Sequence, residues 1–169
     1  NNRTRDEVIR REMRQLEGGW YNADSINKSK QRVDRLGYFN DVAVETPSVA
    51  GTTDQVDLNV SVVEKPTGNI LLGAGFGSSE GLILSGGITQ QNVFGSGNHL
   101  GIQLNTSKVN TVYSLSFTQP YWTVDGVSRG FDLYHRVIDP SAFDSGQYKT
   151  TTLGGQVRLG VPITDLDVI

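Results

Sequence analysis

From about residue 69 to the end of the chain, apolar residues recur at every second position, in one short run after another. Ile70, Leu72, Ala74 and Phe76 fall on one side of such a run, with Asn69, Gly73, Gly75 and Gly77 on the other. Leu100, Ile102 and Leu104 oppose Gly101, Gln103 and Asn105, and Tyr113, Leu115 and Phe117 oppose Ser114, Ser116 and Thr118. A period of two is the signature of β-strands with two unlike faces. In a soluble sandwich the outward face carries Lys and Glu. Here the faces opposite the apolar ones carry Gly, Ser, Thr, Asn and Gln, with few long charged side chains. That chemistry suits strands with lipid on one side and a hydrated lumen on the other.

The mean hydropathy of −0.32 does not oppose this reading, because only alternate residues of a barrel strand meet lipid. Twenty glycines among 169 residues exceed the usual share of about 7%, and most follow Gly68. Glycine weakens an ordinary strand but serves where a barrel bends or its lumen must stay open. A net charge of −3 gives no electrostatic footprint for nucleic acid. The absence of cysteine excludes a disulfide framework and thiolate metal sites. His99 and His135 are isolated from any second ligand at metal-binding spacing. Residues 73–77, Gly-Ala-Gly-Phe-Gly, lack the spacing of a dinucleotide loop and lead into another strand. No set of convergent nucleophile, base and orienting group emerges. The expectation is a protein that is not an enzyme and has no cofactor and no metal. No signal peptide opens the sequence, so Asn1 is expected to lie within a longer or processed chain.

The first 66 residues have a different rhythm. Thr4 and Glu7 form a capping-box pattern that predicts a helix from about Arg5 to the Gly18-Gly19 stop, with Ile9, Met13 and Leu16 on one face. Asn22 is placed to cap a second helix, whose stripe is Ile26, Val33 and Leu36 and whose C′ residue is Gly37. Two strands follow, one containing Val42 and Val44 and the other Val56, Leu58, Val60 and Val62. Two strands beneath two helices make a thin core, so a strand preceding Asn1 is expected.

Residues 67–169 divide into about six strands, at 69–77, 82–92, 98–107, 112–119, 128–138 and 150–161, separated by turn residues. The longest connection, 139–149, is expected on the outer side of a membrane, opposite the end bearing residues 119–122, Gln-Pro-Tyr-Trp. Tyr121 and Trp122 suit an interfacial aromatic girdle. Bacterial barrels close with about eight strands or more, so six imply a truncated barrel.

Residues 10–18, 35–39, 90–97 and 117–128 carry a more specific signal: the stretches Arg-Arg-Glu-Met-Arg-Gln-Leu-Glu-Gly, Arg-Leu-Gly-Tyr-Phe, Gln-Gln-Asn-Val-Phe-Gly-Ser-Gly and Phe-Thr-Gln-Pro-Tyr-Trp-Thr-Val-Asp-Gly-Val-Ser. In this order they resemble the BamA family of outer-membrane β-barrel assembly proteins of Gram-negative bacteria, across nearly the whole chain. The resemblance implies an α+β POTRA-like domain over 1–66, ααββ with its first strand missing. An antiparallel transmembrane β-barrel segment of about six strands, truncated, then occupies 67–169. It implies residence in the bacterial cell outer membrane, with the POTRA-like domain in the periplasm. The implied partners are unfolded outer-membrane proteins, lipoprotein subunits of the assembly complex and outer-membrane lipid. In this family the first barrel strand forms a lateral seam that templates client strands. The matching residues are Asn69, Ile70, Leu71, Leu72, Gly73, Ala74, Gly75, Phe76 and Gly77, with Pro66 and Gly68 as a hinge. Family members also dock a lipoprotein near the end of the first helix, where Glu17 and Arg14 match. A carboxylate at a helix C-terminus opposes the helix dipole by a few tenths to about 1 kcal/mol, which a partner's cation would relieve. Arg14 is the local alternative partner for Glu17. A POTRA-containing pore of a two-partner secretion type is the competing function. A simple diffusion porin has no counterpart of residues 1–66.

Overall fold

The computed structural model describes residues 3–143 and 148–163. The expected turn at Thr164-Asp165 and part of the 139–149 connection lie outside the described residues. The chain forms two compact units, Asn1–Thr67 with Phe94–Ser96, and Gly68–Val93 with Gly97–Ile169.

The first unit runs α1 (Asp6–Arg10), α2 (Ala23–Arg35), β1 (Phe39–Glu45) and β2 (Asn59–Glu64). The second helix follows its sequence signals. Asn22 is extended and its side chain accepts from the Ser25 N–H, while Gly37 takes φ +72° just past the helix end. β1 and β2 pair antiparallel, Val42 opposite Val62 and Val44 opposite Val60. The core is Val8, Val33, Tyr38, Phe39 and Val42, flanked by Ile9, Leu36, Val60 and Val62. Burial pushes the Tyr38 phenol above its ordinary range; nearby Arg11 lowers it and Glu12 raises it further.

The first helix departs from expectation. Arg5, not Thr4, is the N-cap and makes no side-chain cap bond, and the Thr4 N–H donates instead to Glu64 Oε1 on β2 at 2.6 Å. The helix ends at Arg10, long before Gly18. Glu12 turns inward, only 4% exposed, to meet Arg32 of α2 at 2.9 Å. The Arg14 N–H, which a longer helix would give to Arg10, donates to Ser29 Oγ at 2.7 Å. Contacts with α2 and β2 thus outcompete the local helical pattern. In the second strand, Val56 makes only an isolated bridge to Ser48, and pairing starts at Asn59.

The second unit is one antiparallel meander in sequence order: β3 (Gly68–Gly77), β4 (Gly81–Gln90), β5 (His99–Thr106), β6 (Asn110–Gln119), β7 (Ser128–Ile138) and β8 (Thr150–Gly160). The strands match the period-two reading to within about two residues at each end. The register carries the alternation across the sheet. Ile70, Ile88, Ile102, Leu115, Leu133 and Gly155 stand in one row, and Leu100, Phe117, Phe131 and Val157 in another. The opposite face has rows such as Asn69, Thr89, Gly101, Ser116, Asp132 and Gln156. That polar face is not free of large side chains. Leu71, opposite Gly87, and Tyr134, opposite Gly154, share it. The Tyr134 ring lies over the Gly154 backbone, where an added Cβ would meet Tyr134 Cζ at 2.2 Å.

Candidate functional site

Glu17 lies in a turn completed by Gly18 at φ +69°, not at a helix end, so the dipole argument for it does not hold. Its ion-pair partner is Arg10, rather than Arg14, and Arg10 also pairs with Asp6. The hydrogen bonds to Asp6 and then Glu17 raise the Arg10 pKa above its already high ordinary value. With Glu17 85% exposed on its side chain, such a pair adds little stability. Its consequence is placement. Asp6, Arg10 and Glu17 line a groove of about 350 Å3 together with Ile9, Met13, Leu16, Leu58 and Val60.

The loop bearing Arg14 and Glu17 is fastened from two sides. Ser29 Oγ takes the Arg14 N–H and, at 3.4 Å, the Gln15 N–H, while donating to the Ser25 carbonyl at 2.7 Å. The Gln15 side chain donates to the Trp20 carbonyl at 2.9 Å and accepts from the Asn22 N–H at 3.1 Å. Beside this loop, Leu16 and Trp20 are largely exposed, Trp20 by 97%. Sequence reading passed over Ser29 and Gln15. The available signal was Ser29 itself, a polar residue three after Ile26 and four before Val33 on the apolar stripe of α2.

In the second unit the seam residues 69–77 all lie in β3, which hydrogen-bonds to β4 on one side only. Among the described residues its other edge has no strand partner. Side chains of β3 are exposed on both faces, with Ile70, Leu71, Leu72 and Phe76 each 70% exposed or more. Gly73 faces Ser85 closely enough that a Cβ would stand 2.6 Å from Ser85 Oγ, whereas Gly75 meets open space. Of the hinge residues, Gly68 is the first residue of the ladder, opposite Gln90, and the Lys65 N–H is held by the Tyr38 carbonyl at 3.0 Å. Pro66 and Thr67 are the residues between those two anchors.

Tyr121 and Trp122 lie in the β6–β7 turn, where the Trp122 N–H donates to the Val127 carbonyl at 2.8 Å. Tyr121 packs over Gly126, whose φ of +86° suits glycine. No helix among the described residues is long and apolar enough to cross a membrane, which leaves strands untouched as a means of crossing. No cluster of three or more metal-ligating side chains occurs among the described residues.

Comparison with known proteins supplies the family. Residues 1–65 match POTRA, the surface antigen variable number repeat, and residues 92–168 match the Omp85 superfamily domain. Outer membrane protein assembly factor BamA of Neisseria meningitidis serogroup B is 46% identical over 99% of this chain and 21% of its own length. The BamA of Nitratidesulfovibrio vulgaris is 31% identical over all of this chain and 21% of its own length. A crystal structure of BamA from Haemophilus ducreyi lacking POTRA domains 1–3 superposes with a TM-score of 0.83 at 39% identity, covering 99% of this chain and 32% of that one. The chain spans about a fifth of the length of the curated relatives it matches. With a POTRA match over residues 1–65, an Omp85 superfamily match over residues 92–168, and BamA relatives along its whole length, the chain belongs to the BamA family.

Proposed function

We propose that the full-length protein assembles β-barrel proteins into the bacterial outer membrane, with β3 as the strand on which clients pair. The observation that carries this reading is the similarity of the chain to BamA proteins along its whole length, with β3 as the first strand of the meander. An unfolded client has backbone N–H and C=O groups that lipid cannot satisfy. A strand edge satisfies them one residue at a time through main-chain pairing, without demanding a particular client side chain. Gly75, with open space where a Cβ would be, and Gly73 reduce the side-chain packing that would hold β3 in one arrangement. Pro66 and Gly68 bound the short stretch through which β3 would swing.

In this reading the apolar rows of the second unit meet outer-membrane lipid, the polar rows face a lumen, and Tyr121 and Trp122 sit at headgroup depth. The first unit lies in the periplasm. Its groove lined by Arg10 and Glu17 takes a lipoprotein subunit of the assembly complex, with Arg14 on the same loop and Leu16 and Trp20 as exposed apolar contacts. An enzymatic step has no part in this mechanism, since strand exchange breaks and makes only hydrogen bonds.

The test is a reversible lock. A disulfide joining β3 to the final strand of the intact barrel should stop client insertion, and reductant should restore it. Insertion at the normal rate by the locked protein would show that clients do not use this edge.

A further inference from the structure

The apolar face of the sheet carries a cation at its rim. Arg129 is the second residue of β7, opposite Gln119 on β6 and Leu159 on β8, and it shares a face with Phe131 two residues on. Its guanidinium carbon lies 5.0 Å from the centroid of the Trp122 ring and 5.2 Å from that of Phe131. One Nη donates to Gln119 Oε1 at 2.9 Å, and the Nε is buried with no acceptor. A guanidinium has five N–H donors, and the bond to Gln119 uses only one of the four on the two Nη atoms.

A second arginine of the same sheet shows the contrast. Arg158, on the polar face, is neutralised by Asp132 through contacts of 2.6 and 3.0 Å and also reaches Thr118 Oγ1 at 3.2 Å. Arg129 has no carboxylate among the described residues. It is held in place by two aromatic rings and one neutral amide, which fix its orientation, and none of these three groups carries a counter-charge. The exposed apolar side chains of Val157 and Leu159 adjoin it on β8.

We propose that Arg129, held by Trp122, Phe131 and Gln119, binds the phosphate of a phospholipid headgroup at the rim of the membrane-facing surface. A guanidinium fork matches phosphate oxygens, an indole favours headgroup depth, and the apolar row beyond accommodates acyl chains. A free anion would use the fork but gain nothing from the adjoining apolar surface. The proposal rests on the membrane-barrel reading above.

The test uses the full-length protein in detergent, titrated with dioleoyl phosphatidylglycerol and followed by native mass spectrometry. Arg129→Gln should weaken the first bound lipid about tenfold, the scale of one charge-assisted hydrogen bond, and Arg129→Lys should fall between it and the parent. Inorganic phosphate at the same concentration should not displace the lipid. Equal lipid affinity in the parent and Arg129→Gln would overturn the site, and full displacement by phosphate would overturn its assignment to lipid. Heat-modifiable gel mobility reports the folded barrel. Should Arg129→Gln lose it, Arg129→Lys decides, with unchanged affinity counting against the site. Extraction of the parent protein from phosphatidylethanolamine–phosphatidylglycerol vesicles by alkaline carbonate would instead overturn the barrel reading itself.

Discussion

Replacing Ser29 by alanine should loosen the loop that presents Arg14 and Glu17 without weakening the helix that carries Ser29. The hydroxyl is fully buried and is the acceptor for the Arg14 N–H at 2.7 Å. Its second contact, from Gln15 at 3.4 Å, is long and adds little. Leaving a buried donor unpaired costs about 1–3 kcal/mol. The Arg14 residue is exposed, so water can reach part of the vacated site, and the lower half of that range, about 1–1.5 kcal/mol, is expected. Within α2 the substitution acts in the opposite direction, because alanine is the better helix former by a few tenths of a kcal/mol. Hydrogen exchange on the full chain separates the two effects. The Arg14 amide should exchange roughly five- to tenfold faster, following the factor of ten per about 1.4 kcal/mol, while the Val33 amide should keep or slightly gain protection. Unchanged exchange at Arg14 would refute the assignment of Ser29 as the clamp. A uniform loss across α2 would mean that the hydroxyl supports the whole unit and not the loop.

Three further outcomes are expected. Stability of the first unit should decline above pH 10: the buried Tyr38 phenol has its pKa raised from the ordinary 10.0 by burial, so its contribution is fully present below that value. Above it the unfolded chain releases a proton that the folded unit retains, and each pH unit removes up to about 1.4 kcal/mol until the folded group also titrates; Tyr38→Phe should flatten this limb in a urea-unfolding series. Glu17→Lys should leave thermal unfolding within about 0.5 kcal/mol of the parent, since the position is exposed, yet weaken lipoprotein-partner binding in a titration; unchanged binding would remove Glu17 from the docking surface. In the intact protein in membranes, a cysteine at Gln103 should react with an impermeant maleimide and one at Ile102 should not, and equal labelling would refute the assignment of the two faces.

The meander could be read almost residue by residue because its determinants are local. Side-chain direction in a strand alternates by geometry, so Leu100, Ile102 and Leu104 declare a shared face before any neighbour is known. Gly81, the first residue of β4, and Gly126 in the β6–β7 turn, both at positive φ, mark where the chain reverses. The capping of α2 by Asn22 and its termination at Gly37 are local in the same sense. What the pattern omitted on β3 was Leu71, an apolar residue on the otherwise glycine-rich face, whose place follows from alternation but whose partner, Gly87, follows only from register.

The first helix shows where local reasoning ends. Residues 4–18 have helical spacing and a capping pattern, yet the helix stops at Arg10. Glu64 takes the Thr4 amide, Arg32 draws Glu12 inward and Ser29 captures the Arg14 amide. Each of these partners lies far along the chain, so no window around the helix contains the competition. The same holds for Arg129, whose contacts with Gln119, Trp122 and Phe131 exist only once β6, β7 and the Trp122 turn are assembled. The strands, their two unlike faces and the second helix were legible locally, because backbone geometry and turn chemistry act over a few residues. Where the first helix ends, which cation Glu17 meets and which glycine Tyr134 covers depend on groups that folding alone brings within reach.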